Sequence, residues 1–262
     1  MPASIANLGP GFDVLAMAVD LWLDVEAEPA ESPSWVFEGE SAHHLSSHPN
    51  PLSALRMRGV VRNGIPMGVG LGSSAAARIA AWALRGHLTP WLAAAEEEGH
   101  PDNAAAAGLG GLRLVLDGRV EELPVPDVEV ALLVSRMPQS TDAAREALPR
   151  EVPRGDAVFN AGQLARLVHL LHAGGITRSP EALVDRLHQP YRRPLYPWTA
   201  AVLDAAFRLG FPAAIAGAGP TVFALCDPGR GREVAEAMDR AVPGRGRPLV
   251  TRIARSGMTC EP

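Results

Sequence analysis

The chain has 262 residues, 47% of them hydrophobic and 20% charged, which is the composition of an ordinary globular protein with room for two domains. Its net charge of -5 argues against a nucleic-acid-binding protein, because such proteins neutralise many phosphates with basic side chains. The sequence shows no membrane span, no signal peptide and no disulfide or zinc pattern, so we expect a cytoplasmic protein without nucleic-acid or membrane partners.

The first half of the chain contains both strand and helix patterns. Strands are indicated by alternating or short apolar runs, helices by Ala-rich stretches with N-terminal capping residues, and loops by Ser, His and Pro. On these patterns we predict strands at 13–28, 112–116 and 128–135, helices at 73–84 and 89–98, and a loop at 31–52.

The second half contains longer helical patterns separated by short strands. We predict helices at 156–173, 180–187, 197–209 and 230–241, and strands at 213–215, 221–226 and 249–254. Strands and helices mix without strict alternation, which favours an α+β fold. A domain boundary is expected near the Asp117-Gly118 turn or the Pro-rich segment 124–126.

A glycine-rich segment, 66–76, directly precedes the first predicted helix. Its glycines, Gly68, Gly70 and Gly72, allow the backbone to approach a ligand, and Ser73 and Ser74 begin a helix whose free N–H groups and dipole favour an anion. A phosphate chain is the expected occupant. The other interpretation is a tight loop that caps a helix without a ligand. All 24 basic residues are arginine, so no phosphate-binding lysine is available.

Two further segments combine small polar side chains. Asn7 and Asp13 flank a Gly-Pro-Gly turn, where they either converge on one polar ligand or form an ordinary capped turn. His100, Asp102 and Asn103 lie within four residues after the second predicted helix. Together they offer a titratable ring, an anion and an amide, which suit an ammonium group and a hydroxyl, although a surface turn rich in caps is the alternative.

Two arginines and a second glycine segment complete the candidate site. Arg145 and Arg192 could each bind a carboxylate bidentately, although each alone is more commonly a solvated surface residue. The segment 216–221, Ala-Gly-Ala-Gly-Pro-Thr, lies between two predicted strands. It indicates either close backbone approach to a ligand or a tight structural connection.

Taken together, these segments resemble the GHMP kinase superfamily and, within it, the homoserine kinase family. The superfamily resemblance rests on the glycine segments 65–76 and 216–221. The family resemblance rests on PASIANLGPGFD at 2–13, EGHPDN at 98–103, ALPREVP at 147–153 and DRLHQPYRRPL at 185–195. The resemblance implies a two-domain fold, with a ribosomal-S5-like nucleotide-binding domain at 1–122 and a ferredoxin-like domain at 123–262. It also implies ATP-dependent phosphorylation of L-homoserine in threonine synthesis, and a homodimer is expected from the family.

The resemblance implies a role for each candidate residue. ATP would be bound by the glycine loop, namely Pro66, Gly68, Gly70, Leu71, Gly72, Ser73, Ser74 and Ala75. Asn103 would orient the acceptor hydroxyl, and Ser74 would lie near Mg²⁺. The amino group of homoserine would be surrounded by Asn7, Asp13, His100 and Asp102, and its carboxylate would be bound by Arg145 and Arg192.

Three departures from the family pattern qualify these expectations. The glutamate expected to bind Mg²⁺ ten residues before Asp102 is replaced by Leu92, and Glu96, one helical turn later, is the expected substitute. The strand expected before the PAS motif has no counterpart, and segment 50–65 looks too short for its usual helix and strand. The alternatives are therefore a non-catalytic nucleotide- or metabolite-binding protein, or a kinase with a different acceptor.

Overall fold

The computed structural model of the chain describes residues 1–260. These residues form two β-sheets with helices packed on both. The first sheet contains β1 (Pro2–Ala6), β2 (Leu15–Pro29), β3 (Ser34–Gly39), β4 (Met57–Asn63), β5 (Leu112–Leu116) and β6 (Arg119–Leu123). The second sheet contains β7 (Glu129–Ser135), β8 (Ala213–Ile215), β9 (Val222–Cys226) and β10 (Gly246–Arg252). The helices are α1 (Ala42–Ser47), α2 (Ser73–Leu84), α3 (Pro90–Glu98), α4 (Pro101–Leu109), α5 (Thr141–Glu146), α6 (Arg154–Ala173), α7 (Gln189–Arg192), α8 (Thr199–Arg208) and α9 (Gly231–Ala241).

The 15-residue strand β2 is the centre of the first sheet. Its first half pairs with β1 on one side and β5 on the other, and its second half pairs with β4. All of these pairs are antiparallel, whereas β3 runs parallel to β4. Every residue of β1 is buried, because α4 covers β1, β2 and β5. This burial holds the N-terminal segment close to the start of α4.

Small side chains let three helices pack closely beneath this sheet. The buried face of α2 is formed by alanines and Ile79, and four consecutive alanines of α4, 104–107, have no exposed surface. Alanine has the highest helix propensity and allows helix axes to approach each other. As a result α2, α3 and α4 contact one another. The starts of α2 and α4 both contact Ser4, and the C-terminal end of α3 lies beside the start of α2, where Glu98 pairs with Arg78.

The second sheet has the order β10-β7-β9-β8 and is antiparallel throughout. Along β7 the buried side chains alternate between two hydrophobic clusters. Ala131 and Leu133 pack with Val202 of α8 and Met238 of α9, whereas Val130, Leu132 and Val134 belong to the core shared with the first sheet. This two-residue period is what a strand that is buried on both faces requires.

Most of the predicted elements are confirmed, with boundaries that differ from the prediction by at most three residues. Residues 31–52 are not a loop, because they contain β3 and α1, and Pro180–Leu183 is a single 3-10 turn rather than the start of a helix to residue 187. Segment 50–65 contains the strand β4 but no helix. The PAS motif itself forms β1, and segment 98–103, for which a surface turn was the alternative interpretation, contains the end of α3 and the start of α4.

The division at residues 122 and 123 stays a prediction. Asp117 and Gly118 form the positive-φ turn between β5 and β6 within the first sheet, and the segment after β6 leads to the second sheet. The predicted second domain ends at residue 262, and its last two residues lie outside the described range. Within residues 1–260, no helix is both long enough and apolar enough to cross a membrane.

Candidate active site

The glycine loop, residues 66–72, lies between β4 and α2 and is packed against two other segments. Gly68, Gly70 and Gly72 have φ values of +68°, +86° and +69°, a conformation that other residues rarely adopt. A Cβ atom on Gly70 would lie 2.1 Å from the Ala216 carbonyl oxygen, and one on Gly72 would lie 2.0 Å from the Ser4 hydroxyl. The loop therefore needs glycine for close packing as well as for its backbone conformation.

The start of α2 has the features that favour an anion. Gly72 is the N-cap residue and has no side chain to accept from the first N–H groups of the helix. Pro66, Leu71 and Ala75 are buried and shape the loop from within, whereas Gly68 and Ser74 are exposed. Free N–H groups and the positive end of the helix dipole together favour a phosphate at this place.

Gly70→Ala is expected to lower the free energy of unfolding more than the same change at Gly86. Gly86 also has a positive φ, +76°, but nothing lies within 4 Å of its Cβ position, so it isolates the conformational cost, about 1 kcal/mol. Gly70→Ala adds a clash with the Ala216 carbonyl, which should lower the free energy of unfolding by a further ~2 kcal/mol. Urea unfolding of both variants measures the difference. Equal losses would contradict close packing of the loop on segment 216–221.

Ser4 connects the glycine loop to the start of α4. It has no exposed surface, its Oγ lies where Gly72 would carry a side chain, and it donates a 2.8 Å hydrogen bond to Asn103 Oδ1. Because the Asn103 side-chain oxygen accepts this hydrogen bond, the side-chain amide nitrogen remains available as a donor. Asn103 is thereby held beside the anion site.

Asp102 is a buried carboxylate next to this asparagine. Its side chain is 3% exposed, and it accepts a 2.8 Å hydrogen bond from the Asn103 N–H. The pKa of the Asp102 carboxyl is raised to about 6, mainly by burial and to a smaller extent by the charge of Asp13, while the Asn103 hydrogen bond and the charge of Arg145 act in the opposite direction. The carboxyl is therefore ionised at neutral pH. Holding this charge in a buried position costs free energy, and a cationic ligand would offset that cost.

Three residues from distant parts of the chain meet above Asp102. Arg145 Nη2 donates to Asp13 Oδ1 over 3.1 Å and to His100 Nδ1 over 2.9 Å. The side chains of Arg145 and Asp13 are 35% and 44% exposed, so this ion pair is open to a ligand from solvent. The structure thus brings together Asp13, His100, Asp102 and Arg145, which the sequence separates by up to 132 residues.

Arg192 lies at the base of the site within a buried network. It is 2% exposed and donates to the carbonyl oxygens of Gly217 over 2.9 Å and Ala144 over 3.3 Å. Its Nη1 also lies 3.1 Å from His188 Nδ1, and its guanidinium lies over the Phe12 ring. Its Nη2 makes no hydrogen bond with the described residues.

His188 holds this network together and is neutral. Burial, followed by the charge of Arg192, lowers the pKa of the imidazole to about 4, while Asp185 acts in the opposite direction. Nε2 donates to the Gly9 carbonyl over 3.0 Å, and Nδ1 therefore accepts from Arg192. Because the ring is uncharged, the 3.4 Å contact with Asp185 is not an ion pair at neutral pH.

Asn7 connects the N-terminal turn to the second glycine segment. Its Nδ2 donates to the Gly217 carbonyl over 2.8 Å, and its Oδ1 accepts from the Asp13 N–H over 3.1 Å. It is 5% exposed. Both ends of the amide are thus used inside the protein, which assigns to Asn7 the positioning of Asp13 rather than direct binding of a ligand.

Arg78 connects Ser74 to Glu97 and Glu98, whereas the predicted metal ligand Glu96 makes no such contact. Arg78 Nη1 contacts Ser74 Oγ and donates to Glu98 Oε1 over 2.9 Å. Glu96 is exposed and makes no hydrogen bond or ion pair with residues 1–260. It shares the solvent-facing side of α3 with Leu92, which is 41% exposed, whereas Glu98 lies two residues further on and therefore faces α2.

A cavity of about 560 Å³ lies beside the glycine loop. Its lining comes from the loop, from α1 and from the ends of β7 and β10. The lining residues are Glu40, Ser41, His44, Pro66, Met67, Gly68, Val69, Val134, Ser135, Arg136, Pro138 and Arg247. It is large enough for an aromatic base with its sugar.

Known proteins that are similar to this chain are kinases. The family described as GHMP kinases C terminal matches residues 144–244. A homoserine kinase of Thermus thermophilus is 38% identical over 278 residues, covering 97% of this chain and 94% of that protein. A homoserine kinase of Synechococcus is 35% identical over 300 residues, covering 100% and 96%.

The chain belongs to the homoserine kinase family. The crystal structure of homoserine kinase from Cytophaga hutchinsonii superposes with a TM-score of 0.84 at 26% identity, covering 98% of this chain and 94% of that one. The α+β prediction and the two-domain GHMP kinase fold are therefore confirmed, and so is the prediction of a kinase. The roles of individual residues stay proposals.

Sequence reasoning missed four residues of this homoserine kinase family site. Ser4 and His188 lie inside quoted motifs, but a serine in a strand and a histidine near prolines give no sign of their partners, which are 99 and 179 residues away. Arg78 and Glu98 were detectable in part, because an arginine one turn after Ser74 faces the same side of α2.

Proposed function

We propose that this chain transfers the terminal phosphate of ATP to the side-chain hydroxyl of L-homoserine, giving O-phospho-L-homoserine for threonine synthesis. The observation that carries the proposal is the position of Ser4, which contacts the glycine loop at Gly72 and hydrogen-bonds Asn103. An anion site and a cluster of groups suited to an amino acid are therefore neighbours. A donor phosphate and an acceptor hydroxyl can meet between them.

The acceptor cluster has the charges that an amino-acid head group needs. Asp102 and Asp13 supply two carboxylates for the ammonium group, and Arg145 and Arg192 supply two guanidinium groups for the carboxylate. Planar guanidinium groups bind carboxylates in a bidentate fashion, which suits a chain whose 24 basic residues are all arginine. In this proposal the Arg145–Asp13 ion pair opens to admit the substrate.

The chemical step needs positioning and charge neutralisation more than covalent catalysis. The homoserine hydroxyl oxygen forms a bond to the γ-phosphorus, the bond between that phosphorus and the β,γ-bridging oxygen breaks, and ADP leaves with the electron pair. The hydroxyl proton is released to solvent or to the departing phosphate groups. Asn103, held by Ser4, presents an N–H donor to the attacking oxygen and orients it toward the phosphorus.

The donor set near the glycine loop fits Mg²⁺. This ion is usually held by one or two carboxylates together with substrate phosphates, and Ser74 with Glu98 offers one hydroxyl and one carboxylate. No cluster of three metal-binding side chains exists among residues 1–260, so phosphate oxygens and water would complete the coordination. When bound, Mg²⁺ would neutralise charge on the phosphates. Glu98 thus replaces Glu96 in the proposal.

The cavity beside the loop is proposed to take the adenine base. It has apolar walls from Pro66, Met67 and Val69, and it opens directly onto Gly68. Apolar walls with a few polar groups at the rim are typical of nucleotide-base sites.

A cytoplasmic location and a homodimer, which we expect from the sequence, are part of the same proposal.

An acceptor panel separates the proposed reaction from its alternatives. ADP release is measured with L-homoserine, L-threonine, L-serine or no acceptor. We expect turnover with L-homoserine at least about tenfold above the others. In L-serine and L-threonine the hydroxyl is on Cβ, one carbon closer to the head group, so it does not reach the phosphate from the same anchor points. Nucleotide binding without turnover would favour a non-catalytic protein. Faster turnover with another amino acid would indicate a different acceptor.

Arg145→Lys is expected to raise KM for L-homoserine about 5- to 20-fold while changing KM for ATP less than about twofold. The guanidinium is one-third exposed, and lysine keeps the charge but loses the bidentate contact. Arg150→Lys, at an exposed position after α5, is the matched control and should change neither constant. If both KM values rise together, the assignment of Arg145 to the carboxylate is wrong.

A further inference from the structure

Arg78 has contacts that neither the fold nor the acceptor cluster accounts for. It projects from the second turn of α2, and its Nη1 contacts Ser74 Oγ and Glu98 Oε1, the latter over 2.9 Å. Its Nε donates to Glu97 Oε1 over 3.1 Å. One guanidinium nitrogen thus lies between the hydroxyl and the carboxylate that are proposed above to hold Mg²⁺.

The two glutamates beside Ser74 favour a positively charged side chain here in addition to any bound Mg²⁺. A triphosphate bound at the start of α2 would lie near Glu97 and Glu98, and like charges disfavour its binding. Arg78 is 27% exposed at its side chain and Glu98 14%, so solvent only partly screens these groups. The helix dipole contributes only about half a positive charge. Arg78 is the arginine of α2 that reaches Ser74, and the chain has no lysine.

The present contacts of Arg78 cannot all persist when metal and nucleotide bind. A metal bound to Glu98 and Ser74 would occupy the position that Nη1 now holds, and a guanidinium does not share that position with a cation. Nε can keep its hydrogen bond to Glu97 while the rest of the guanidinium turns, because Nη1 and Nη2 carry four further N–H donors. Nη2 makes no hydrogen bond with residues 1–260.

We propose that Arg78 is a nucleotide-binding residue that exchanges its contacts with Ser74 and Glu98 for the terminal phosphates of the nucleotide. This inference rests on the proposed function, because it assumes a triphosphate at the glycine loop. In the unliganded protein Arg78 neutralises Glu98. In the complex it remains paired with Glu97 and donates to phosphate oxygens, while Glu98 becomes a ligand for the metal. An ordinary surface ion pair is the competing explanation, and such pairs contribute little.

Calorimetric titration with a non-hydrolysable ATP analogue and with AMP tests this exchange. Arg78→Met should bind the analogue with Mg²⁺ at least about tenfold more weakly than the unmodified protein, while AMP binding changes less than about twofold, because AMP lacks the terminal phosphates. Arg85→Met is the matched control. Arg85 lies at the other end of the same helix over the Trp82 ring, and its loss should leave both affinities within about twofold.

A second variant tests the role of Glu98 in the exchange. Glu98→Gln in EDTA should bind the analogue at least as tightly as the unmodified protein, because a negative charge near the phosphates is removed, but it should lose the gain in affinity that Mg²⁺ gives. If the Arg78→Met variant fails to fold, the Arg78→Gln variant is titrated in its place, because glutamine keeps one donor for Glu97.

The outcomes separate this inference from the proposed function. Unchanged or tighter binding of the analogue by Arg78→Met would overturn it, as would equal weakening for AMP and the analogue. If Arg78→Met loses more affinity for the analogue than for AMP, the result supports the inference. If the unmodified protein binds neither nucleotide, the proposed function itself fails before any variant is compared.

Discussion

Replacing Asp102 by asparagine is expected to lower kcat/KM for L-homoserine by about 100- to 1000-fold. The carboxylate is 3% exposed and would pair with the substrate ammonium group inside the protein. Leaving a buried charge without its partner costs about 3–4 kcal/mol, which corresponds to this range. KM for ATP should change less than about threefold, because Asp102 belongs to the cluster proposed to bind L-homoserine and not to the glycine loop. Steady-state kinetics with each substrate varied in turn measures both constants.

The same substitution is expected to stabilise the protein without ligands at pH 8. Burial raises the pKa of the Asp102 carboxyl from 3.8 to about 6, so the folded protein binds a proton more readily than the unfolded chain does. Stability from this group is therefore greatest below about pH 4 and is lost as the pH rises to about 6. Asparagine removes the charge, so Asp102→Asn should gain up to about 3 kcal/mol at pH 8 and almost nothing at pH 4.

Asp142 provides a matched control for both effects. It is the second residue of α5, as Asp102 is of α4, but it is exposed. Asp142→Asn should leave both KM values unchanged and should lower stability slightly, by about 0.5 kcal/mol, because a negative charge near a helix N-terminus is lost. A fall in stability of Asp102→Asn at pH 8, or an unchanged kcat/KM, would contradict the proposed role of Asp102.

Arg192→Lys is expected to raise KM for L-homoserine about 30- to 100-fold and to lower the free energy of unfolding by about 2 kcal/mol. The larger effect compared with Arg145 follows from burial, since Arg192 is 2% exposed and also donates to two backbone carbonyls. A lysine ammonium cannot contact Ala144, Gly217 and a substrate carboxylate together. Chemical denaturation measures the free energy of unfolding, and steady-state kinetics with L-homoserine varied measures its KM.

Arg193→Lys is the control for Arg192, because the neighbouring arginine is exposed and lies outside the network. It should change neither stability nor KM by a measurable amount. If Arg192→Lys lost stability but kept its KM for L-homoserine, Arg192 would be a structural residue only. The carboxylate would then be bound by Arg145 alone.

The sequence was sufficient for elements whose signals are local. The helix at 73–84 was predicted with the boundaries that α2 has, because glycines before it and an unbroken Ala-rich run after it are features of adjacent residues. Segment 31–52 was wrongly predicted as a loop, because Ser, His and Pro outweighed the alternation of Trp35 and Phe37 in β3. β3 pairs with β4, which lies over 20 residues later, so its stability comes from a partner that a local pattern does not contain.

The candidate site shows the same division between local and distant information. The motifs contain Asp13, His100 and Asp102, and Arg145 lies two residues before the motif at 147–153. The hydrogen bonds that join Arg145 to Asp13 and His100 cross 132 and 45 residues, so no local pattern contains them. Helical periodicity predicts Glu96 as the metal ligand because it shares a face with Leu92, and the structure shows that this face is exposed. Helical spacing predicts which residues share a face, but it does not predict which face meets the neighbouring helix.

The central claim is that phosphate passes from ATP to the hydroxyl of L-homoserine at the junction formed by Gly72, Ser4 and Asn103. Its most direct test is ³¹P NMR of a reaction containing the protein, Mg²⁺, ATP and L-homoserine. The account predicts a phosphate monoester signal that grows in equal amount with ADP, and mass spectrometry should find the phosphate on the side-chain oxygen. ADP formed together with inorganic phosphate, or no consumption of ATP, would contradict it.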